Sequence, residues 1–255
     1  IIPTLGQHVP HTASQNKWMF GDIPQENFYQ HDWISSCKNI GQISKEYVQY
    51  VSENKADWPI PVSVNRMLIE NNYDLVINIG QIVPHEVLGF SNHNKNYFIG
   101  VASKSMICAS HIMAACCGIE NNLGMLITPL RACFNKAERD YLSQLPDVYV
   151  LIVMSYDEQG KLITTGLYVG KNVQTYITAA RYAQQNTVKV FDTPIKKVVA
   201  VMDEQGFKST WVANKAIYRT RMVIADGGQL IIIAPGVERF GEQKQVDELI
   251  RKYGY

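Results

Sequence analysis

Apolar positions along the chain change their period several times, and each change marks an element. In Ser44–Asn54, SKEYVQYVSEN, aromatic and aliphatic residues recur at helical spacing behind Ser44, which predicts a helix with Ser44 as N-cap. The prolines of WPIP at 58–61 interrupt that pattern, and Val62–Asn71 reads as a second helix. Leu75–Ile79, LVINI, is a short continuous apolar run entering Gly80, the pattern of a buried strand. Ser103–Cys117 reads as a helix of small residues stopped by Gly118. Asn135 and Glu138 have the spacing of an N-cap and capping box for a helix through Leu145, closed by Pro146. Val148–Ser155 and Lys161–Val169 are strand-like and joined by Asp157-Glu158-Gln159-Gly160, a hairpin signal, and Val173–Gln185 is amphipathic at helical period. The opening residues, Ile1–Thr12, read as an apolar start turning into the loop LGQHVPHT.

From Val188 a second unit is expected. Lys197–Met202 reads as a strand, Thr210–Ala225 as a helix, Asp226-Gly227-Gly228 as a tight turn, and Gln229–Ala234 as a further strand. That is one βαβ crossover, which requires parallel strands with a helix packed on them. A final helical pattern covers Gln243–Lys252. Alternating strands and helices place the chain in the α/β class.

Composition narrows the function classes. The 255 residues are 46% hydrophobic and 18% charged, with a net charge of +1. No basic excess points to nucleic acid or an anionic membrane surface, and no apolar run approaches the length of a membrane span. Five cysteines, at 37, 108, 116, 117 and 133, make an odd count without a CxxC pair, which favours a reducing cytoplasm over a disulfide framework. Because the chain starts at Ile1 and stops at Tyr255, just beyond a helical pattern, both ends are expected to be incomplete.

The densest chemistry lies in Ile79–His111, which holds three of the six histidines together with Lys95. His85 follows Pro84 in a loop, a setting that suits a general base and equally a histidine bonded to a carbonyl. His8 occupies a similar apolar-to-loop transition, so the two imidazoles could flank a substrate as acid and base. Lys95 fits either a solvated loop lysine or a covalent anchor. His111, one turn from Ile107 and Ala115 on a helix, fits either the core or a metal. His8-Val9-Pro10-His11 has a metal-like spacing that the proline weakens, and Gly227-Gly228 follows a helix instead of opening one, unlike a dinucleotide fingerprint.

Taken jointly, PHEVLGFSNHNK and the histidine 16 residues after its lysine resemble the nickel-dependent lactate racemase family. The family pattern is Pro-His, Gly-Phe or Gly-Tyr-Ser/Thr-Gly-Gly, lysine, a Pro-Gly turn and Asn-His. Pro84-His85, Gly89-Phe90-Ser91, Lys95, Gly100 and Ser110-His111 stand in those places. LGQHVPHT resembles the family's Gly-Thr-His-Arg segment and puts His8 at its histidine. VMDEQGFKSTWVANKAIYRTRMVIADGGQLIII resembles the opening of the family's C-terminal domain, with Lys215 at its helix lysine.

The resemblance implies a nickel pincer nucleotide (a pyridinium-3-thioamide-5-thiocarboxylic acid mononucleotide) linked to Lys95, with Gly89 and Ser91 beside it and nickel on His111. It implies that His8 and His85 alternate in taking the hydroxyl proton of a 2-hydroxy acid while a hydride moves between substrate and cofactor. Lys215 would bind the substrate carboxylate or neighbouring cofactor groups. Several positions depart from the pattern. Asn92-His93 replace Gly-Gly, Val9 replaces an arginine, Val212 replaces a glutamine, and an N-terminal phosphate-binding segment is absent. His93 is an additional imidazole expected to contact substrate or metal. The departures point to a 2-hydroxy acid other than lactate, such as a sugar acid.

The expectations are therefore an isomerase, a racemase or epimerase resembling lactate racemase. Its fold is expected to be two α/β/α domains with largely parallel sheets and an active site in the interdomain cleft. Residues 1–187, with a 148–169 hairpin, would form the catalytic and cofactor-binding domain, and residues 188–255 the start of the C-terminal domain. A small-molecule 2-hydroxy acid or sugar acid and cofactor-maturation enzymes are the expected partners, with no nucleic acid and no membrane. Two other readings stand beside this one: a divalent-metal hydrolase or lyase using His8, His85 and His111, and a non-catalytic sugar-acid or nucleotide-binding module of the same fold.

Overall fold

The computed structural model describes residues 1–254, which divide after Val188 into two units. The chain begins without a strand. Thr12 caps helix α1 (Ala13–Phe20) through a reciprocal capping box with Gln15. Strand β1 (Cys37–Ile43) follows, then α2 (Lys45–Val51), whose N-cap is Ser44 as its hydroxyl position predicts. Strand β2 (Ile60–Asn65) lies antiparallel to β1.

The sequence reading of 62–71 as one helix is overturned by β2, with only a short α3 (Met67–Glu70) after it. Ile60, Val62 and Val64 are fully buried, so a period of two decides the segment. Pro61 does not break the segment, because in a two-stranded sheet it needs no second ladder partner.

Strand β3 (Val76–Gln81) leads into the short hairpin β4 (Pro84–His85) and β5 (Gly89–Phe90). A π-helical turn at Asn96–Gly100 precedes α4 (Lys104–Cys117), which Ser103 caps and Gly118 ends. Helix α5 (Pro129–Tyr141) packs near α2 and α4 and is followed by the β6 (Asp147–Tyr156) and β7 (Leu162–Gly170) hairpin. Helix α6 (Val173–Thr187) then crosses β6 and β7, completing the unit. Strand β3 is parallel to β6, and β6 is antiparallel to β7, so this sheet is mixed.

Strand β6 shows why the sheet sits where it does. Tyr149, Leu151 and Val153 alternate with half-exposed Val148, Val150 and Ile152, and the buried row faces the core with Phe90, Phe98, Phe134 and Tyr176. Each fully buried side chain of this size contributes about 1.5–3 kcal/mol. Strand β3 itself is less buried than its composition suggests, since Ile77 and Ile79 remain 55% and 60% exposed.

In the second unit β8 (Ile195–Val201) and β9 (Ile224–Ile233) are parallel, as a crossover requires. The intervening helix is shorter than its periodicity implied and is broken into α7 (Thr210–Ala213) and α8 (Lys215–Thr220). Asp226-Gly227-Gly228 is not a separate turn but part of β9, at an irregularity in its pairing with β8. Helix α9 (Lys244–Tyr253) closes the unit. The chain is thus α/β with small mixed sheets.

Candidate active site

The connection from β3 through β5 to α4 is built to hold one half-buried lysine. Ser91 follows β5, its hydroxyl donating to the Gln81 carbonyl (2.6 Å) and accepting from the Val83 N–H (3.0 Å). Asn92 and His93 both adopt left-handed backbone, each at φ 57°. These are the positions where the family pattern has glycines. Asparagine and histidine tolerate this region better than most residues. Asn92 donates its amide to the Gln81 carbonyl, and its side chain lies where a Cβ on Gly80 would be.

The residues on either side of Lys95 are anchored inward. Asn94, fully buried, donates to Asn135 Oδ1 (2.7 Å) and Glu138 Oε2 (2.9 Å). Asn96 donates to Asn78 Oδ1 (2.7 Å), and the Tyr97 hydroxyl donates to Asp147 (2.9 Å), whose carboxylate also pairs with Lys171 at 3.3 Å. Lys95 is only half-buried between these pinned neighbours and starts the π-helical turn. Such turns are rare and recur at functional sites.

His111, on α4, stands within electrostatic reach of that lysine. Its Nδ1 lies 2.7 Å from the Ile107 carbonyl, so Nδ1 carries the proton and Nε2 keeps its lone pair. A metal-binding histidine uses this arrangement, donating one N–H to a carbonyl and ligating through the other nitrogen. Burial lowers its pKa most. The Ile107 carbonyl and the Glu86 carboxylate oppose that shift, while the Lys95 charge adds to it. Glu86 Oε2 is itself buried without a hydrogen-bond partner among the described residues.

His85 lies opposite Gly89 in the β4–β5 pair, and its Nδ1 accepts the Val87 N–H at 3.2 Å. That bond places the ring proton of neutral His85 on Nε2. His8 is exposed on a turn closed by its own N–H to the Leu5 carbonyl (3.0 Å). The turn is fastened to the lysine segment, because the Gly6 N–H donates to the Gly100 carbonyl at 2.8 Å. A Cβ on Gly100 would come within 2.5 Å of Thr4 Cβ, so glycine is needed there for this close approach.

Other expected site residues have different work. Gly89 is buried at φ 79°, and a Cβ on it would overlap the Met125 carbonyl; its bareness admits the 124–125 loop, not a cofactor. The Ser91 hydroxyl is engaged in holding the loop, through Gln81 and Val83, a structural task beside the cofactor contact expected of it. His93 does not face a substrate. It is 1% exposed, stacked on Tyr149 with ring centroids 3.9 Å apart and tilted against Tyr176 at 5.4 Å. Desolvation and then the Arg131 charge push its pKa down to about 3; Asn94 and the Asn172 backbone offset this slightly, although neither ring nitrogen attains hydrogen-bond geometry among the described residues. Lys215 belongs to the second unit, half-buried at the start of α8.

Arg131, Asn94, Glu86 and Glu138 were missed from the sequence. Asn135 and Glu138 do not cap a helix start. Thr128 is the N-cap of α5, with Pro129 in its first turn, so both residues fall mid-helix and their side chains meet Asn94. The Thr-Pro dipeptide was the available signal.

A cavity of about 160 Å³ lies beside the N-terminal segment, lined by residues including Leu5, His11, Asn16 and His31, and none of the lysine group lines it. It is small for a ligand pocket. Among the described residues no three His, Cys, Asp or Glu side chains are grouped to hold a metal, and no helix is long and apolar enough to cross a membrane.

Residues 1–122 match the family model described as Lactate racemase N-terminal domain. A solved structure of a protein from Thermotoga maritima aligns over 100% of the chain at 28% identity with a TM-score of 0.86, and 63% of that protein is covered. The lactate racemase apoprotein from Thermoanaerobacterium thermosaccharolyticum aligns over 92% of the chain at 21% identity with a TM-score of 0.62, and 52% of it is covered. At that identity the second likeness is one of fold. The chain spans less than two thirds of the length of either protein. No curated protein matches it.

Proposed function

We propose, for a chain whose residues 1–122 match the lactate racemase N-terminal domain model, that it inverts the hydroxyl-bearing carbon of a 2-hydroxy acid, either lactate-like or a sugar acid. The observation that carries this reading is the Lys95–His111 pair: a lysine held by anchored neighbours, acting electrostatically on an imidazole whose Nε2 lone pair is available.

These residues fit a lysine-linked nickel pincer nucleotide. Lys95 would form the covalent link and His111 would supply one ligand through Nε2. The protein offers no other grouped ligands among the described residues, so the remaining ones would come from the cofactor itself. The same donor set fits poorly with a divalent-metal hydrolase, which ordinarily takes three protein ligands. When bound, the cofactor supplies the hydride-accepting carbon that lets the substrate pass through a planar keto acid.

The chain's own work is placement and proton transfer. His8 and His85 would lie on opposite faces of the substrate, each serving one enantiomer. With its Nδ1 held by the Val87 N–H, His85 presents Nε2–H and hydrogen-bonds to the substrate oxygen. It becomes a proton acceptor at Nε2 only after giving up that backbone bond. His8, on its exposed turn, would serve the opposite hand. His111, its pKa lowered by burial, remains neutral and able to ligate at neutral pH.

Mass spectrometry of the protein co-produced with cofactor-making enzymes tests this reading. The expected result is an adduct on Lys95 and about one nickel per chain, the nickel being lost in His111→Ala. An unmodified Lys95 under those conditions would overturn the proposal and leave the non-catalytic binding module in its place.

A further inference from the structure

Behind the lysine loop lies a guanidinium that the proposed reaction does not use. Arg131, on α5, is 1% exposed, and its partners are loop oxygens. It donates to the Phe90 carbonyl (2.6 Å), to Asn94 Oδ1 (2.5 Å) and to the Asn92 carbonyl (3.3 Å). Its face lies 4.2 Å from the ring centre of Tyr176, which fixes the plane of the fork. Three alternate residues of the loop, 90, 92 and 94, are therefore gripped by one side chain.

The residues between and beside those contacts are the ones under backbone strain. Two successive non-glycine residues in the left-handed region persist only where the surroundings over-determine them. Arg131 bonds the carbonyl before that pair, the carbonyl within it and the side chain after it, so it spans the strained turn. Asn94, the last of the three, also reaches Asn135 and Glu138 on the same helix, and it immediately precedes Lys95. A guanidinium suits this task because its planar fork can address several fixed oxygens at once, which an ammonium cannot.

We propose that Arg131 is the positioning residue for Lys95: it holds Phe90–Asn94 in the double left-handed turn that leads directly into the lysine. The inference rests on the reading of Lys95 as the cofactor anchor. Its direct consequence, however, is a property of the cofactor-free protein, the local order and amine reactivity of Lys95.

The test is trace acetylation of the cofactor-free protein, scored at Lys95 relative to the exposed hairpin residue Lys161, together with amide hydrogen exchange over 89–96. In folded Arg131→Met, relative labelling of Lys95 should change several-fold, and exchange in the loop should accelerate about ten-fold or more, as expected when charge-assisted bonds are lost locally. Arg131→Lys keeps the charge but not the fork and should recover only part of the wild-type behaviour. If Arg131→Met does not fold, Asn94→Ala, which removes the last link before the lysine, should give the same local signature.

A folded variant with a lower Tm but unchanged Lys95 labelling and loop exchange would show Arg131 to be packing alone and overturn the proposal. That result would leave the anchor reading of Lys95 intact. Conversely, wild-type Lys95 found unmodified after maturation would remove the anchor reading without altering the labelling result.

Discussion

Mild acid should loosen the first unit through one buried imidazole. His93 has a folded-state pKa of about 3 against 6.5 for an unperturbed ring, because it is packed between Tyr149 and Tyr176 near the Arg131 charge. Below pH 6.5 the unfolded chain takes up a proton that the folded chain refuses, so stability falls as pH drops from 6.5 towards 3. At about 1.4 kcal/mol per pH unit, the loss between pH 7 and pH 5 is about 2 kcal/mol, with a ceiling of about 5 kcal/mol near pH 3.

Urea denaturation at pH 7, 6 and 5 measures this directly. With a slope near 2 kcal/mol per molar, the midpoint should fall by about 1 M between the ends of that series. His93→Asn is the informative control, since asparagine tolerates the left-handed backbone and cannot titrate. The variant should be less stable at pH 7, having lost a stacked ring, but should show a flatter pH dependence by about 2 kcal/mol. His31 and His111, whose pKa values are lowered chiefly by burial, act with the same sign in both proteins and cancel in the difference. A His93→Asn variant that loses as much stability as wild type between pH 7 and 5 would refute the argument.

Two further substitutions probe the frame of the site. Gly89→Ala would push a Cβ into the Met125 carbonyl at a left-handed position, and should lower stability by about 3 kcal/mol or prevent folding, read by urea or thermal melts. Tyr97→Phe removes a donor from the buried Asp147 carboxylate while Lys171 remains, so a loss of about 1–3 kcal/mol is expected in the same melts.

Local signals in the sequence were reliable where they were chemically explicit. Ser44 and Ser103 cap the helices expected after them, Gly118 stops α4, and the strand pair around Asp157–Gly160 forms its hairpin. The errors came where long-range packing chose between periods. Ile60–Asn65 alternates apolar and polar residues, but the prolines at 59 and 61 masked that period, and pairing with β1 and complete burial of Ile60, Val62 and Val64 make it a strand. Asn135 and Glu138 looked like a helix start because a capping box is a local pattern, and their actual partner, Asn94, is over 40 residues away.

Hydrophobic period, capping chemistry and motif spacing are properties of short segments, so the α/β class and the parallel β8–β9 pair were legible in the amino-acid sequence alone. Packing settled the rest: it put the His111 ring proton on Nδ1 by bonding it to a carbonyl, used up the Ser91 hydroxyl within the loop, filled the space beside Gly89 and drew His93 into the core. It also put Arg131, 36 positions after Lys95, behind the loop that carries the lysine. These outcomes depend on which distant groups share a desolvated space, and that is a matter of packing and not of spacing along the chain.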